Sequence, residues 1–196
     1  MIILGIDQGL ANIGYAVLST DDGVRIVESG IIQTEKDPIF GRRLLLIKEK
    51  LLNVIEMYCP DLICTENLFC NKPQKAGRNK SAAIVQTNMA TAVIFMLGAE
   101  YNIPIQQFVP ISVKKKIAGS GKASKEEVEE AVKNIFGDEI DFKKDHESDA
   151  VAIALTGHFA AIEGSLSCYE DDEDKPIQSK GKAKIRIHKK SKKKGG

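Results

Sequence analysis

Short apolar runs separated by polar turns fill the first third of the chain. "IILGID" (2–7) is an apolar run closed by an acid and predicts a buried strand. "IGYAVLST" (13–20) predicts a second strand, and the turn residues "DDG" (21–23) lead into a third, "VRIVESGIIQT" (24–34). The spacing then changes. Leu44, Ile47, Leu51, Val54 and Ile55 recur at helical intervals and predict a helix over 38–58. "PDLICTE" (60–66) predicts another buried strand, and the polar segment 71–80, with Lys72, Lys75, Arg78 and Lys80, a mobile basic loop. A largely buried helix rich in small residues is predicted over 81–101, and a last strand over 103–110. Helices follow over 111–119 and 124–136, the second with Ser124 as N-cap and Glu127 completing a capping box. The final helix is predicted from Ser148 to Ile162.

Three strands in hairpin order, then helix, strand, helix, strand and helices, describe an α/β fold: a mixed five-stranded sheet flanked by helices. The first strand and the 60–66 strand are expected side by side and parallel, each ending in an acid. Ligands of open α/β sheets sit beyond the carboxyl ends of the strands, which places Asp7 and Glu66 together. A final helix packed across that edge brings His146 and Asp149 to the same place, three residues apart on one helical face. Glu147 is expected to point away, and Asp145 falls between the two directions.

Composition narrows the class. The 196 residues suffice for one folded domain, and 43% hydrophobic with 28% charged residues suits a globular protein. No leader pattern or long uncharged apolar stretch is present, and Cys59, Cys64, Cys70 and Cys168 form no CxxC pair. The expectation is free thiols, no membrane insertion and a cytoplasmic location. The net charge of +1 hides an asymmetry: "EDDED" (170–174) holds five of the 27 acids, and the following 22 residues hold ten of the 28 basic side chains and no acid. Residues 1–169 therefore carry −4. The chain divides into a folded domain over 1–165 and a tail over 166–196 expected to be disordered, which contacts nucleic-acid phosphate or serves as a solubilising terminus.

The acids before the last apolar run raise a chemical question. Carboxylates gathered at one sheet edge repel one another, and a divalent cation removes the conflict by taking their oxygens as ligands. Each residue has a plain structural role if taken singly: Asp7 a turn cap, Glu66 a strand-end charge, His146 a surface histidine, Asp149 a helix N-terminal acid. Their convergence points to one or two divalent ions, and two such ions about 3.5–4 Å apart suit water activation and leaving-group stabilisation at a phosphodiester.

"ILGIDQGLANIGYAV", "PDLICTENLF", "VPISVKKKIAGSGKASKEEV" and "HESDAVAIALTGH" occur in this order and together resemble the RuvC family of Holliday-junction resolvases, over roughly residues 1–162. The resemblance implies an RNase H-like fold and a crossover junction endodeoxyribonuclease acting in DNA recombination and repair. It carries Asp7, Glu66, His146 and Asp149 onto the catalytic metal site, with Mg²⁺ or Mn²⁺, two ions per site, as cofactor. His stands at 146 where many members have Asp; imidazole is softer than carboxylate, so Mn²⁺ is expected to serve at least as well as Mg²⁺. Phe69 matches an aromatic near the junction crossover, where stacking on an unpaired base is worth about 1–3 kcal/mol; ordinary packing after a strand is its other role. Lys114 and Lys125 match lysines near the scissile phosphate, with solvated helix faces as the alternative. The products implied are a 5′-phosphate and a 3′-hydroxyl. The partners implied are branched DNA, chiefly four-way junctions, a second copy of the chain in a homodimer, and a branch-migration helicase.

Two departures bear on these expectations. Gln8 replaces the proline usual after the first aspartate, which is expected to loosen that turn without touching the metal ligand. The 71–80 segment is longer than its family counterpart, so substrate selectivity is more open than chemistry. Three other functions compete with this one. An ATP-using enzyme of the actin and sugar-kinase type needs a second phosphate loop and a longer chain. A branched-DNA binder without catalysis conflicts with the presence of all four candidate ligands. A broader structure-specific nuclease cutting flaps, forks and bubbles is the runner-up.

Overall fold

In the computed structural model, residues 1–67, 78–137, 140, 142 and 145–166 are described, the side chains of 78–83 excepted. Phe69, most of the 71–80 segment and the acidic and lysine-rich stretches of the tail lie outside the described residues.

Five strands form one mixed sheet: β1 (Ile2–Asp7), β2 (Asn12–Ser19), β3 (Arg25–Gln33), β4 (Leu62–Glu66) and β5 (Ile105–Phe108), in the order β3-β2-β1-β4-β5. β2 pairs antiparallel with both β1 and β3, and β1–β4 and β4–β5 are parallel. Among the described residues the helices are α1 (Phe40–Tyr58), α2 (Arg78–Glu100), α3 (Pro110–Ala118), α4 (Lys125–Phe136) and α5 (Asp145–Ile162). The mixed, helix-flanked sheet follows the expected order. The period of two along each strand divides the core. Leu4, Ile6, Val17, Ile63 and Ile105 face α1 and α2. Ile3, Ala16, Leu18, Leu62 and Cys64 face α3, α4 and α5.

Two helix starts and the burial of one helix differ from the sequence expectation. α2 begins at Arg78, so Arg78, Asn79 and Lys80 are helical rather than loop. It is also less buried than its small-residue content suggests: Val85, Met89 and Met96 are exposed along one side. α5 begins at Asp145, almost a turn before Ser148, with acidic residues in its first turn where the helix dipole favours them. The capping box of α4 forms as read: Ser124 Oγ accepts from Glu127 N, and Ser124 N donates to Glu127 Oε2.

α5 is apolar all round and buried from Ala150 through Gly157. It lies unusually close to the sheet. A Cβ at Gly5 would stand 2.3 Å from the Ala150 carbonyl oxygen, and one at Gly14 would stand 1.7 Å from that of His146. At Gly157 it would meet Cys64 Sγ at 2.2 Å. Three glycines, two on strands and one on the helix, therefore set the depth at which α5 rests, and with it the height of its first turn above the ends of β1 and β4. Among the described residues no helix is long and apolar enough to cross a membrane, and Cys59 is a free thiol.

Candidate active site

Asp7 ends β1 and Glu66 ends β4, and the parallel register places Ile6 opposite Thr65, so the two acids leave the sheet side by side. Opposite Asp7 on the other side is Gly14 of β2, the residue on which the His146 carbonyl rests. The first turn of α5 thus sits directly over the carboxyl end of β1. His146 Nδ1 lies 2.5 Å from Asp7 Oδ2. An ionised carboxylate only accepts, so Nδ1 carries the proton and donates it, and Nε2 is the nitrogen through which His146 can take a second proton or a cation. The bond to Asp7 raises the pKa of His146, with burial working against it.

Asp149, one turn further along α5, meets a different cation. Lys125, the first residue of α4, donates from Nζ to Asp149 Oδ2 at 2.9 Å and stands 3.9 Å from Asp145 Oδ2. Burial opposes the charge on Lys125, but the Asp149 bond and the surrounding carboxylates raise its pKa. Burial also raises the pKa of Asp149, with the Lys125 bond opposing the shift. Lys114 Nζ donates to the Ala123 carbonyl at 2.5 Å, which ties α3 to the segment that leads into α4.

Glu66 has neither cation in hydrogen-bond contact. Burial first, and then the charges of Asp7 and Asp149, raise its pKa from 4.5 to about 7, while Lys125 and Lys114 act in the opposite sense. Its backbone is held firmly. Gln8 Nε2 donates to the Glu66 carbonyl at 2.6 Å, Glu66 N donates to Gln8 Oε1 at 3.1 Å, and Gln107 Nε2 reaches the same carbonyl at 3.3 Å. Gln8 therefore holds the end of β4 through the backbone of a candidate ligand, a contact across the sheet that the expectation of a merely loosened turn does not contain. That expectation treated position 8 as local, whereas its partners lie 58 residues away.

Of the residues singled out from sequence, His146 joins Asp7, Lys125 joins Asp149, and Glu66 faces both acids electrostatically. Among the described residues, no three acidic, histidine or cysteine side chains converge on one point as a preformed metal cage. Glu147 points away as expected, buried and accepting from Ser29 Oγ at 2.7 Å. Phe69 lies outside the described residues. Sequence reasoning passed over Gly14 and Gln107. Both left a signal: a glycine inside a strand run marks close approach, and paired glutamines in an otherwise apolar strand need buried partners.

The Glu66 shift fixes the sign of a pH dependence. Between about pH 4.5 and 7 the unfolded chain has released this proton and the folded chain still holds it, so the folded state binds more protons and stability falls as pH rises. Asp149 contributes with the same sign. Thermal melting in chelator is expected to show a falling melting temperature across this window, flattened in Glu66→Gln. An equally steep fall in that variant would place the dependence elsewhere.

The profile of crossover junction endodeoxyribonuclease RuvC matches residues 3–158. A Prochlorococcus marinus protein named crossover junction endodeoxyribonuclease RuvC is 36% identical over 161 residues, covering 81% of this chain and 99% of that one. A Pseudothermotoga lettingae protein of the same name is 37% identical over 155 residues, covering 79% and 91%. Among solved structures, Thermus thermophilus RuvC superposes with a TM-score of 0.74 at 26% identity, over 86% of this chain and all of that one. The yeast mitochondrial Holliday junction resolvase Ydc2 shares the fold, with a TM-score of 0.55 at 22% identity over 79% of this chain and 76% of that one. With the profile spanning β1 through most of α5 and both relatives matched over nearly their full length, the chain belongs to the RuvC family of crossover junction endodeoxyribonucleases.

Proposed function

We propose that this chain is a metal-dependent endodeoxyribonuclease that resolves four-way DNA junctions by paired symmetric nicks, with Asp7, Glu66, His146 and Asp149 as its catalytic metal site. The observation that carries the proposal is the meeting of the ends of β1 and β4 with the first turn of α5, in a chain of this family. The relatives are named for crossover junction cleavage, and a Thermus thermophilus RuvC structure is described as a complex with Holliday junction substrate.

The donor set suits Mg²⁺ or Mn²⁺: three carboxylates supply hard oxygens and one imidazole a borderline nitrogen. Glu66, pushed to about 7 by burial first and then by its acidic neighbours, is a group whose ionised form a divalent cation would stabilise. When bound, such ions supply Lewis acidity for activating water and for stabilising the leaving oxygen of a phosphodiester. The protein's own part is to place and charge the groups. Glu66 must release its proton to serve as a ligand, so cation binding and proton release are coupled there. Asp7 orients the His146 ring through Nδ1, so that Nε2 is the nitrogen that binds a cation or moves a proton. Lys125 is positioned to exchange Asp149 for a phosphate oxygen, and Lys114 supports the same segment from α3. Phe69 is assigned to base stacking at the crossover. Two nicks of like polarity require two sites related by the two-fold axis of the junction. The exposed Val85, Met89 and Met96 on α2 support a second copy of the chain as the cover for that side.

The test is cleavage of an end-labelled synthetic four-way junction in Mg²⁺ and in Mn²⁺, with duplex, fork and flap controls. Paired symmetric nicks in the junction alone are expected. Cutting of every branched substrate would leave the site standing and replace strict resolution with broader structure-specific cleavage, for which the basic 71–80 segment is the sequence argument. Binding without cutting in either metal would refute the catalytic assignment.

His146 sets a metal preference within this site. His146→Asp replaces a borderline nitrogen with a hard oxygen and is expected to shift the ratio of Mn²⁺- to Mg²⁺-supported cutting toward Mg²⁺. An unchanged ratio would show that His146 acts without contacting the metal.

A further inference from the structure

Glu66 is the carboxylate with the strongest reason to move. It lies buried beside Asp7 and Asp149 and makes no ion pair with the two cations that meet those acids. Repulsion would drive the end of β4 away from β1, and the strand ladder does not oppose this, because the β1–β4 register ends at Ile6 and Thr65. On the β1 side, the Glu66 peptide N–H and C=O would have no strand partner.

The side chain of Gln8 fills both roles. Its Oε1 accepts from Glu66 N at 3.1 Å and its Nε2 donates to the Glu66 carbonyl at 2.6 Å. A primary amide presents its acceptor oxygen and a donor N–H on one edge, so Gln8 engages the N–H and C=O of a single residue together and extends the ladder by one step with a side chain. Thr65 Oγ1 donates to the same Oε1, in an orientation of the amide that its two Glu66 bonds already fix. On the far side, Gln107 Nε2 reaches the Glu66 carbonyl, and Asn67 N donates to the Phe108 carbonyl. Gln8 is only 6% exposed, so water is a poor replacement for these bonds. Because Gln8 directly follows Asp7 in the chain, the same residue joins the two carboxylate-bearing strand ends.

We propose that Gln8 is a positioning residue for the metal site: its amide clamps the Glu66 backbone and fixes the Glu66 carboxylate beside that of Asp7, where a divalent cation would take both as ligands. This deepens, and rests on, the metal-dependent junction-cleaving reading of the site. Gln8→Leu keeps the size of the side chain and removes both amide groups. Gln8→Glu keeps the acceptor, loses the donor to the Glu66 carbonyl, and adds a negative charge. Thr65→Val is the control, since it removes one bond to the amide and leaves both Glu66 contacts in place.

Mn²⁺ binding to the full-length protein, measured by calorimetry without DNA, is paired with single-turnover junction cutting and with junction affinity in chelator. Gln8→Leu is expected to weaken Mn²⁺ binding and slow cutting, each by about 10- to 100-fold, with junction affinity little changed. Thr65→Val is expected to lower the melting temperature while binding Mn²⁺ as the unmodified protein does. Should Gln8→Leu fail to fold, Gln8→Glu carries the same expectation. Mn²⁺ affinity unchanged in the Gln8 variants would overturn the proposal, as would an equal loss in Thr65→Val or absence of Mn²⁺ binding by the unmodified protein. If the unmodified protein cuts no branched DNA, the functional reading fails, and the Mn²⁺ titration still decides the role of Gln8.

Discussion

Asp7→Asn is expected to bind a four-way junction about as tightly as the unmodified protein while losing cutting by a factor on the order of 100 to 1,000 or more. The substitution is close to isosteric, and the side-chain oxygen of asparagine can still accept from His146 Nδ1, so the first turn of α5 keeps its main contact with β1. What disappears is the charge. His146 loses the carboxylate that raises its pKa, and Glu66 loses one of the two acids that raise its own. Asparagine is also a poor ligand for a hard divalent cation. Junction cutting and gel-shift binding measured on one preparation separate the two effects. Cutting retained within a few-fold would remove Asp7 from the site.

The second large effect is expected from a residue that takes part in no chemistry. Gly14→Ala places a methyl group where the His146 carbonyl oxygen stands, 1.7 Å from it, and that obstacle is backbone, which cannot rotate aside. The first turn of α5 must lift or β2 must bend. Overpacking of this kind costs about 1–3 kcal/mol. Because His146 and Asp149 ride on the displaced turn, cutting is expected to fall well beyond what the loss of stability explains. Thermal melting and single-turnover cutting at a temperature where the variant is fully folded check the two parts. Cutting at the unmodified rate in the folded variant would show that the site tolerates movement of α5.

The contrast between these residues explains what could be read from the chain. Asp7, Glu66, His146 and Asp149 were legible because each ends or begins an element whose pattern is strong, and a parallel sheet assigns those ends to one edge. The strands were legible because alternation such as Ile3 against Leu4 follows directly from the two faces of a sheet. The start of α5 was placed late because Ser148 resembles a helix cap, whereas the acids before it already occupy the first turn. The exposure of α2 was hidden because its outer positions are apolar as well, so hydropathy does not distinguish its two sides. The contacts of Gln8 and Lys125 were not legible, for a different reason. Their partners, Glu66 and Asp149, are 58 and 24 residues away, and no local pattern encodes a contact between separate elements.

The close seating of α5 also divides the protein into regions of unequal freedom to change. On the α5 side of the sheet, glycines and alanines meet backbone at contact distance, so an added methyl has nowhere to go and its displacement reaches the acids. On the α1 and α2 side the core is built from leucine, isoleucine and valine, whose swaps at constant volume usually cost less than about 1.5 kcal/mol. Sequence drift and deliberate stabilisation alike have room on the second side, while the first behaves as a fixed mount in which packing and chemistry cannot be altered separately.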